Sequence, residues 1–272
     1  MEDRFYQIYD NEILIPGIEG ETRLMHISDT HICAYDGDSS EEEVRWAFEK
    51  DAYWMYQKKE FAQMAGEYFG KEQEISTVSA FRKLMKLAEK TKPDFLVLSG
   101  DNLEIMHPAG ERFLKAQLDS YSGRYLCIPG NHEDEELEGI WQADPVIIPF
   151  RGFSIVGIDD RLKTVSDRTL EVLKELAEKA EPVIIVTHIP VSTDLNREAM
   201  SIFDSYFYID EDSSDSNARE FVKLIKENDC FRAVLCGHVH GYSKTEIAPG
   251  KYQICSSQGM IGAVDMVTVR GR

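Results

Sequence analysis

The chain has 272 residues, 30 Lys+Arg against 49 Asp+Glu, and a formal net charge of −19. At 43% hydrophobic and 29% charged it has an ordinary globular composition, which excludes collagen-like and disordered classes. No apolar run approaches the roughly 20 residues of a membrane span, and so acidic a chain lacks the basic footprint for nucleic-acid backbones or anionic membranes.

The opening MEDRFYQIYD is polar and acidic, unlike a secretory signal or an Arg-rich transit peptide. Cys33, Cys127, Cys230, Cys236 and Cys255 form no CxxC pair and read as scattered thiols of a reducing compartment. The expectation is a cytoplasmic protein. In chain order, short apolar runs at 24–27, 95–98, 125–128, 153–158, 183–186 and 233–235 are predicted as buried strands. Amphipathic helices are predicted between them. In 76–91, Val78, Phe81, Leu84, Met85 and Ala88 recur at helical spacing behind a Ser76 or Thr77 cap. Segment 167–180 repeats the pattern before Pro182, and Asn217 is the expected cap of a third helix carrying Phe221, Leu224 and Ile225. The tail 251–269 reads as further strands, with turns at Pro249-Gly250 and around Gly259 and Gly262.

Two segments exceed ordinary connections. Residues 34–75 read as a helical insertion rich in aromatics from Trp46 to Phe69, and 191–217 as a loop insertion holding Tyr206-Phe207-Tyr208 and the acidic run 210–216. With no repeat or linker, residues 1–272 are expected to form one α/β domain.

Five predicted strands end in polar, metal-competent residues. They run into Ser28-Asp29-Thr30-His31, Gly100-Asp101-Asn102, Gly130-Asn131-His132-Glu133, Thr187-His188 and Gly237-His238-Val239-His240. In open α/β sheets, ligands gather at the carboxyl ends of strands. Taken singly, Asp29 or Asp101 serves as well for a helix cap, Asn131 for a turn, and His188 for a hydrogen-bonded core histidine. The His-x-His pair and the Asp29/His31 pair place alternate residues on one side of an extended chain. Their conjunction points to a metal centre.

DTH, GDN, GNHE, a strand-terminal His and GHVH occur here in the order found in calcineurin-like metallophosphoesterases, which the chain resembles from about Arg23 onward, most closely in phosphodiesterase-type members. The resemblance implies a four-layer αββα sandwich with mixed sheets and a two-metal centre. Asp29, His31 and His240 would hold one ion, Asn131, His188 and His238 the other, and Asp101 would bridge them. A donor set without thiolate suits Mn, Fe or Zn in a catalytic site more than a structural zinc site. His132 would face substrate and protonate the leaving oxygen, while a metal-bridging hydroxide attacks phosphorus in line. Many phosphodiesterase-type relatives read His-His-Pro where this chain has His188-Ile189-Pro190, which removes a substrate-side histidine and leaves the ligand.

The remaining polar residues have plainer expectations. His26 reads as packed beneath the site, His107 as a surface or rim histidine, Glu133 to Glu136 as a helix start, and Cys236 as core. The aromatic insertion is expected to pack on the domain, with a lid or dimer face as the alternative, and Tyr206-Phe207-Tyr208 is the expected gate. The favoured reading is hydrolysis of a small phosphodiester. The alternatives are a phosphomonoesterase or protein phosphatase, and a non-catalytic scaffold of the same fold.

Overall fold

Alternation along the short strands places one set of side chains between two sheets and the other beneath helices. A computed structural model describes residues 4–133, 140–141, 144–200 and 208–272. In β2 (Glu21–Ile27), Leu24 faces the space between the sheets, while Met25 and Ile27 face outward. In β3 (Phe95–Ser99), Phe95 and Val97 point inward and Leu96 and Leu98 outward. The first sheet runs β1-β13-β2-β3-β4, adding β1 (Gln7–Leu14), β13 (Ala263–Arg270) and β4 (Tyr125–Ile128). All its pairings are parallel except β13 with β2.

The second sheet combines β5 (Val146–Pro149), β6 (Ser154–Gly157), β7 (Val183–Val186), β10 (Phe231–Cys236), β11 (Ser243–Ala248) and β12 (Lys251–Cys255), in the order β11-β12-β10-β7-β6-β5. Its two edge pairings are antiparallel and its centre is parallel. The helices α2 (Thr77–Thr91) and α3 (Pro108–Ser120) cover the outer face of the first sheet. α4 (Asp167–Lys179) and α6 (Ser216–Glu227) cover the second. The expected αββα layering is observed.

The predicted helices begin close to where their caps place them. Ser76 accepts from the Ser79 amide and Ser166 from that of Thr169. The third is corrected: Asp215 caps α6 through the Ala218 amide, because its carboxylate stands one residue before the helix. Asn217 instead donates to Val165 O and Asp167 Oδ1. The insertion at 34–75 is mainly α1 (Glu41–Ala65), opened by a Ser40–Glu43 capping box. Within 191–217 lie β8 (Val191–Ser192), α5 (Arg197–Met200) and β9 (Ile209–Asp210). Arg197 gathers Asp210, Glu211 and Asp212, and Lys226 pairs with Glu211, so the acidic run is held by internal ion pairs that offset part of its charge. Tyr206 and Phe207 lie outside the described residues, and Tyr208 is buried in the core, which removes it from the expected gate. Among the described residues no helix is long and apolar enough to cross a membrane.

Candidate metal centre

The carboxyl ends of β2, β3, β4, β7 and β10 converge on one point. Five of the residues they carry, Asp29, His31, Asp101, His238 and His240, have positive φ, between 41° and 72°. A left-handed backbone costs an L-residue roughly 1–2 kcal/mol, so such a concentration marks a place where side-chain direction outweighs local comfort. The adjoining glycines fit the same reading. A Cβ on Gly130 would overlap the backbone and carboxylate of Asp101, and one on Gly237 would overlap Ser28 and Asp29.

All seven predicted ligands are brought together. Asp29, His31, Asp101 and His240 form one group of facing donors, and Asp101, His188 and His238 another. Asp101 belongs to both: its Oδ2 lies 3.8 Å from His31 Nε2 and 3.2 Å from His188 Nε2. Asn131 Oδ1 is 3.1 Å from His188 Nε2, and His240 Nε2 is 3.3 Å from Asp29 Oδ1. The imidazoles approach each other nitrogen to nitrogen, His31 to His240 at 3.1 Å and His188 to His238 at 3.2 Å.

Hydrogen bonds on the far side fix which nitrogens face inward. The Ser99 carbonyl only accepts, so His188 must donate to it from Nδ1, at 2.9 Å, which leaves Nε2 as a lone-pair donor. His31 likewise turns Nδ1 to Glu104 Oε2 at 3.1 Å. Burial opposes charge on His188, but Asp101, Asp29 and Asp160 outweigh it and hold the pKa at about 10. Burial and the neighbouring His188 push His238 down to about 3. A buried set of carboxylates, amide oxygen and imidazoles that competes for a positive charge fits divalent cations, and two groups sharing one carboxylate fit a pair of them.

Several supporting residues were not singled out from sequence. Glu104, on the loop after β3, is buried and binds four partners. Its Oε2 receives Trp54 Nε1 at 2.7 Å and His31, and lies 3.4 Å from His132 Nδ1, while Oε1 pairs with Lys50 Nζ at 3.0 Å. A lone acid in the apolar stretch Leu103-Glu104-Ile105-Met106 was the available signal. Asp160 follows β6 and accepts the backbone amides of His188 and Ile189 at 2.8 and 2.9 Å. Burial raises its pKa to about 7. Its position at a sixth strand end was the clue.

Other expectations need correction. Glu133 is not a helix-opening acid. It is buried and accepts the amides of Asp101, Leu103 and Gly130, tying two ligand loops together, and burial with the Asp101 charge lifts its pKa to about 7. Asp134 to Glu136 lie outside the described residues. His107 is a buried N-cap of α3, accepting from the Gly110 amide, and not a surface histidine, because Pro108 starts the helix and Trp46 covers the ring. His26 packs beneath the site as expected, 2.7 Å from Ser99 Oγ and 3.3 Å from Asp265 Oδ2. Cys236 is core, its Sγ 3.1 Å from that of Cys255.

His132 stands beside this group, its ring 4.7 Å from that of His31 and partly exposed. Burial disfavours its charge, but the bond to Glu104 and the Asp101 and Glu104 carboxylates prevail and raise its pKa to about 9. Helix α1 roofs one side: Trp54 lies over His31 with ring centres 4.1 Å apart, and Phe61 meets His240 edge-on at 4.7 Å.

The profile of the calcineurin-like phosphoesterases matches residues 22–242, which takes in every ligand candidate. The chain belongs to this family. Among solved structures, this calcineurin-like phosphoesterase is similar to a dimetal phosphatase from Danio rerio, at 14% identity and TM-score 0.56, covering 89% of this chain and 91% of that one. It is also similar to a purple acid phosphatase from yellow lupin (Lupinus luteus) seeds, at 11% identity and TM-score 0.50, covering 92% of this chain and 46% of the other. These likenesses concern the fold. No curated protein matches the chain.

Proposed function

We propose that this phosphoesterase uses two divalent ions, held by Asp29, His31 and His240 on one side and Asn131, His188 and His238 on the other with Asp101 between, to hydrolyse a small phosphodiester. The observation that carries the reading is Asp101 Oδ2 facing ligand nitrogens of both groups, with His132 at their open side. When bound, such ions polarise the phosphoryl group and activate water for in-line attack. The chain's own contribution is to aim the ligands and to supply a proton. Glu104 holds His132 through Nδ1, which leaves Nε2 to donate to the departing oxygen.

The charge around the site supports a diester. A monoester carries close to two negative charges near neutral pH and a diester one. Among the described residues no lysine or arginine hydrogen-bonds to a candidate ligand, and the undescribed segments contain none. Lys50 is paired with Glu104, and Arg161 with Asp159 and the Glu133 carbonyl. On the His132 side, Lys50 and the half-exposed Tyr53 of α1 form a rim suited to a leaving group with a flat face. A phosphomonoesterase is the second reading, favoured by the phosphatase names of both similar structures.

The test compares bis(p-nitrophenyl) phosphate with p-nitrophenyl phosphate on chelator-treated protein before and after Mn²⁺ is restored. Metal-dependent turnover with the diester preferred is expected. Preference for the monoester overturns the diester assignment, and metal binding without turnover of either overturns the hydrolase reading for these esters.

A further inference from the structure

At the opposite end of the sheets from the metal centre, where the edges of the two sheets part, there is a cleft of about 600 Å³ lined by Glu12, Arg232, Lys244, Lys251, Tyr252 and Arg272 among others. It gathers four cationic side chains in a molecule of net charge −19. Three of the polar groups have partners: Lys251 Nζ donates to the carbonyls of Ile225, Lys226 and Asn228 at the end of α6, Glu12 pairs with Arg270, and Lys244 Nζ makes one long, exposed bond of 3.4 Å to the Glu12 carbonyl, which leaves its other two protons for a ligand. Asp229 is the other acid in the lining.

Arg232 stands apart. The pairing of β10 with β7 steps from Phe231↔Val183 to Ala233↔Ile184, so Arg232 is an extra residue bulged out of the ladder. Consistent with the insertion, Phe231 and Val234 face the helix-side core, while Ala233 and Leu235 face the core between the sheets. A bulge re-aims a side chain, and here it delivers one to the cleft. The guanidinium has no ion pair among the described residues, and its buried Nε has no hydrogen-bond partner. A guanidinium lining the cleft without an ion pair leaves its charge and its terminal N–H groups to an anion. Lys244 lies at the cleft wall over the half-exposed ring of Tyr252, at 5.4 Å.

We infer that this cleft is a second ligand site, which binds the dianionic phosphate of a small phosphomonoester through Arg232 and Lys244, with Tyr252 alongside its organic part. Arg232 and Lys244 offer two positive charges to a dianion, and the volume admits a molecule of nucleotide size. The inference is independent of the reaction at the metal centre. Both β10 and β12 run from this cleft towards that centre, β10 ending immediately before Gly237-His238.

The probe is benzylphosphonate, a non-hydrolysable dianion with an aromatic end, titrated calorimetrically into the metal-loaded protein. The metal centre can also take a phosphonate, so the readout is the number of sites. The wild type should bind one more molecule per chain than Arg232→Met, and Lys244→Met should weaken the same site about tenfold or more, both with unchanged turnover of bis(p-nitrophenyl) phosphate. Equal stoichiometry in wild type and Arg232→Met overturns the proposal. If Arg232→Met does not fold, unchanged affinity in Lys244→Met overturns it instead.

Discussion

In the proposed reaction His132 would donate the proton and Glu104, bonded to its Nδ1 side, would aim it. Replacing His132 with Ala removes the proposed proton donor but none of the seven ligand candidates. The variant should therefore retain its metals while turnover of a poor leaving group falls roughly 10²–10⁴-fold, read by metal analysis beside steady-state kinetics. Loss of metals together with activity would show that the ring is structural. Glu104→Gln keeps the shape and removes the charge shared by His31, His132, Trp54 and Lys50. Groups that orient metal ligands typically contribute 10- to 100-fold in affinity or activity, so this variant should lower both Mn²⁺ affinity and kcat/KM by about that amount. An unaltered Mn²⁺ affinity would disconnect Glu104 from His31. The candidate ligands were legible in sequence because each follows a strand inside a short motif. Glu104 was not, because its importance comes from Trp54 and Lys50, about fifty residues away, and only folding brings them together.

Helix α1 shows how an element can be foreseen while its role is not. The long aromatic-rich segment was read as a helical insertion, but nothing local distinguishes Trp54, buried over His31, from Tyr53 and Tyr56, which remain half or more exposed. β1 escaped prediction for a related reason: it is an edge strand whose first half alternates between exposed and half-buried residues, so it lacks the apolar run that marks its neighbours. The buried face of α1 also carries Lys58, whose Nζ donates to the Ile75 carbonyl. Burial lowers its pKa from 10.5 to about 8, only partly offset by Asp51 and Glu74. Between those two values the unfolded chain holds more protons at this position than the folded one, so the Lys58 contribution to stability rises with pH. Buried thiols such as Cys33 and Cys127, pushed up by burial, act in the opposite direction above pH 8. The informative quantity is therefore the urea midpoint of the wild type relative to Lys58→Met. The wild type should gain on the variant from pH 7.5 to pH 9.5, and a constant difference would refute the assignment.

At the scale of the whole molecule, two sheets hold a charged, backbone-strained centre at their shared end, and cation binding should feed back on stability. Alternating apolar strands made the layering legible, whereas the sheet order was not, since β13, last in the chain, pairs between β1 and β2. That closure fixes the ligand loops from both ends of the sequence: Gly259, just before β13, donates its amide to the Ser28 carbonyl beside Asp29. A ligand bound only by the folded chain stabilises it by about 2.7 kcal/mol at a hundredfold excess over its Kd. For a chain of this size, with about 2–4 °C per kcal/mol, each filled site should raise the melting temperature by about 5–10 °C. Simple screening also relieves repulsion at a net charge of −19, so the comparison is Mn²⁺ against NaCl at equal ionic strength. The specific increment should be abolished in Asp101→Ala, which removes the carboxylate common to both groups. It should also shrink as pH falls, because the carboxylates hold a proton on His188 that a metal must displace. An Mn²⁺ increment no larger than that of NaCl, or one that survives in Asp101→Ala, would mean that the ligands assembled here do not hold a shared pair of ions.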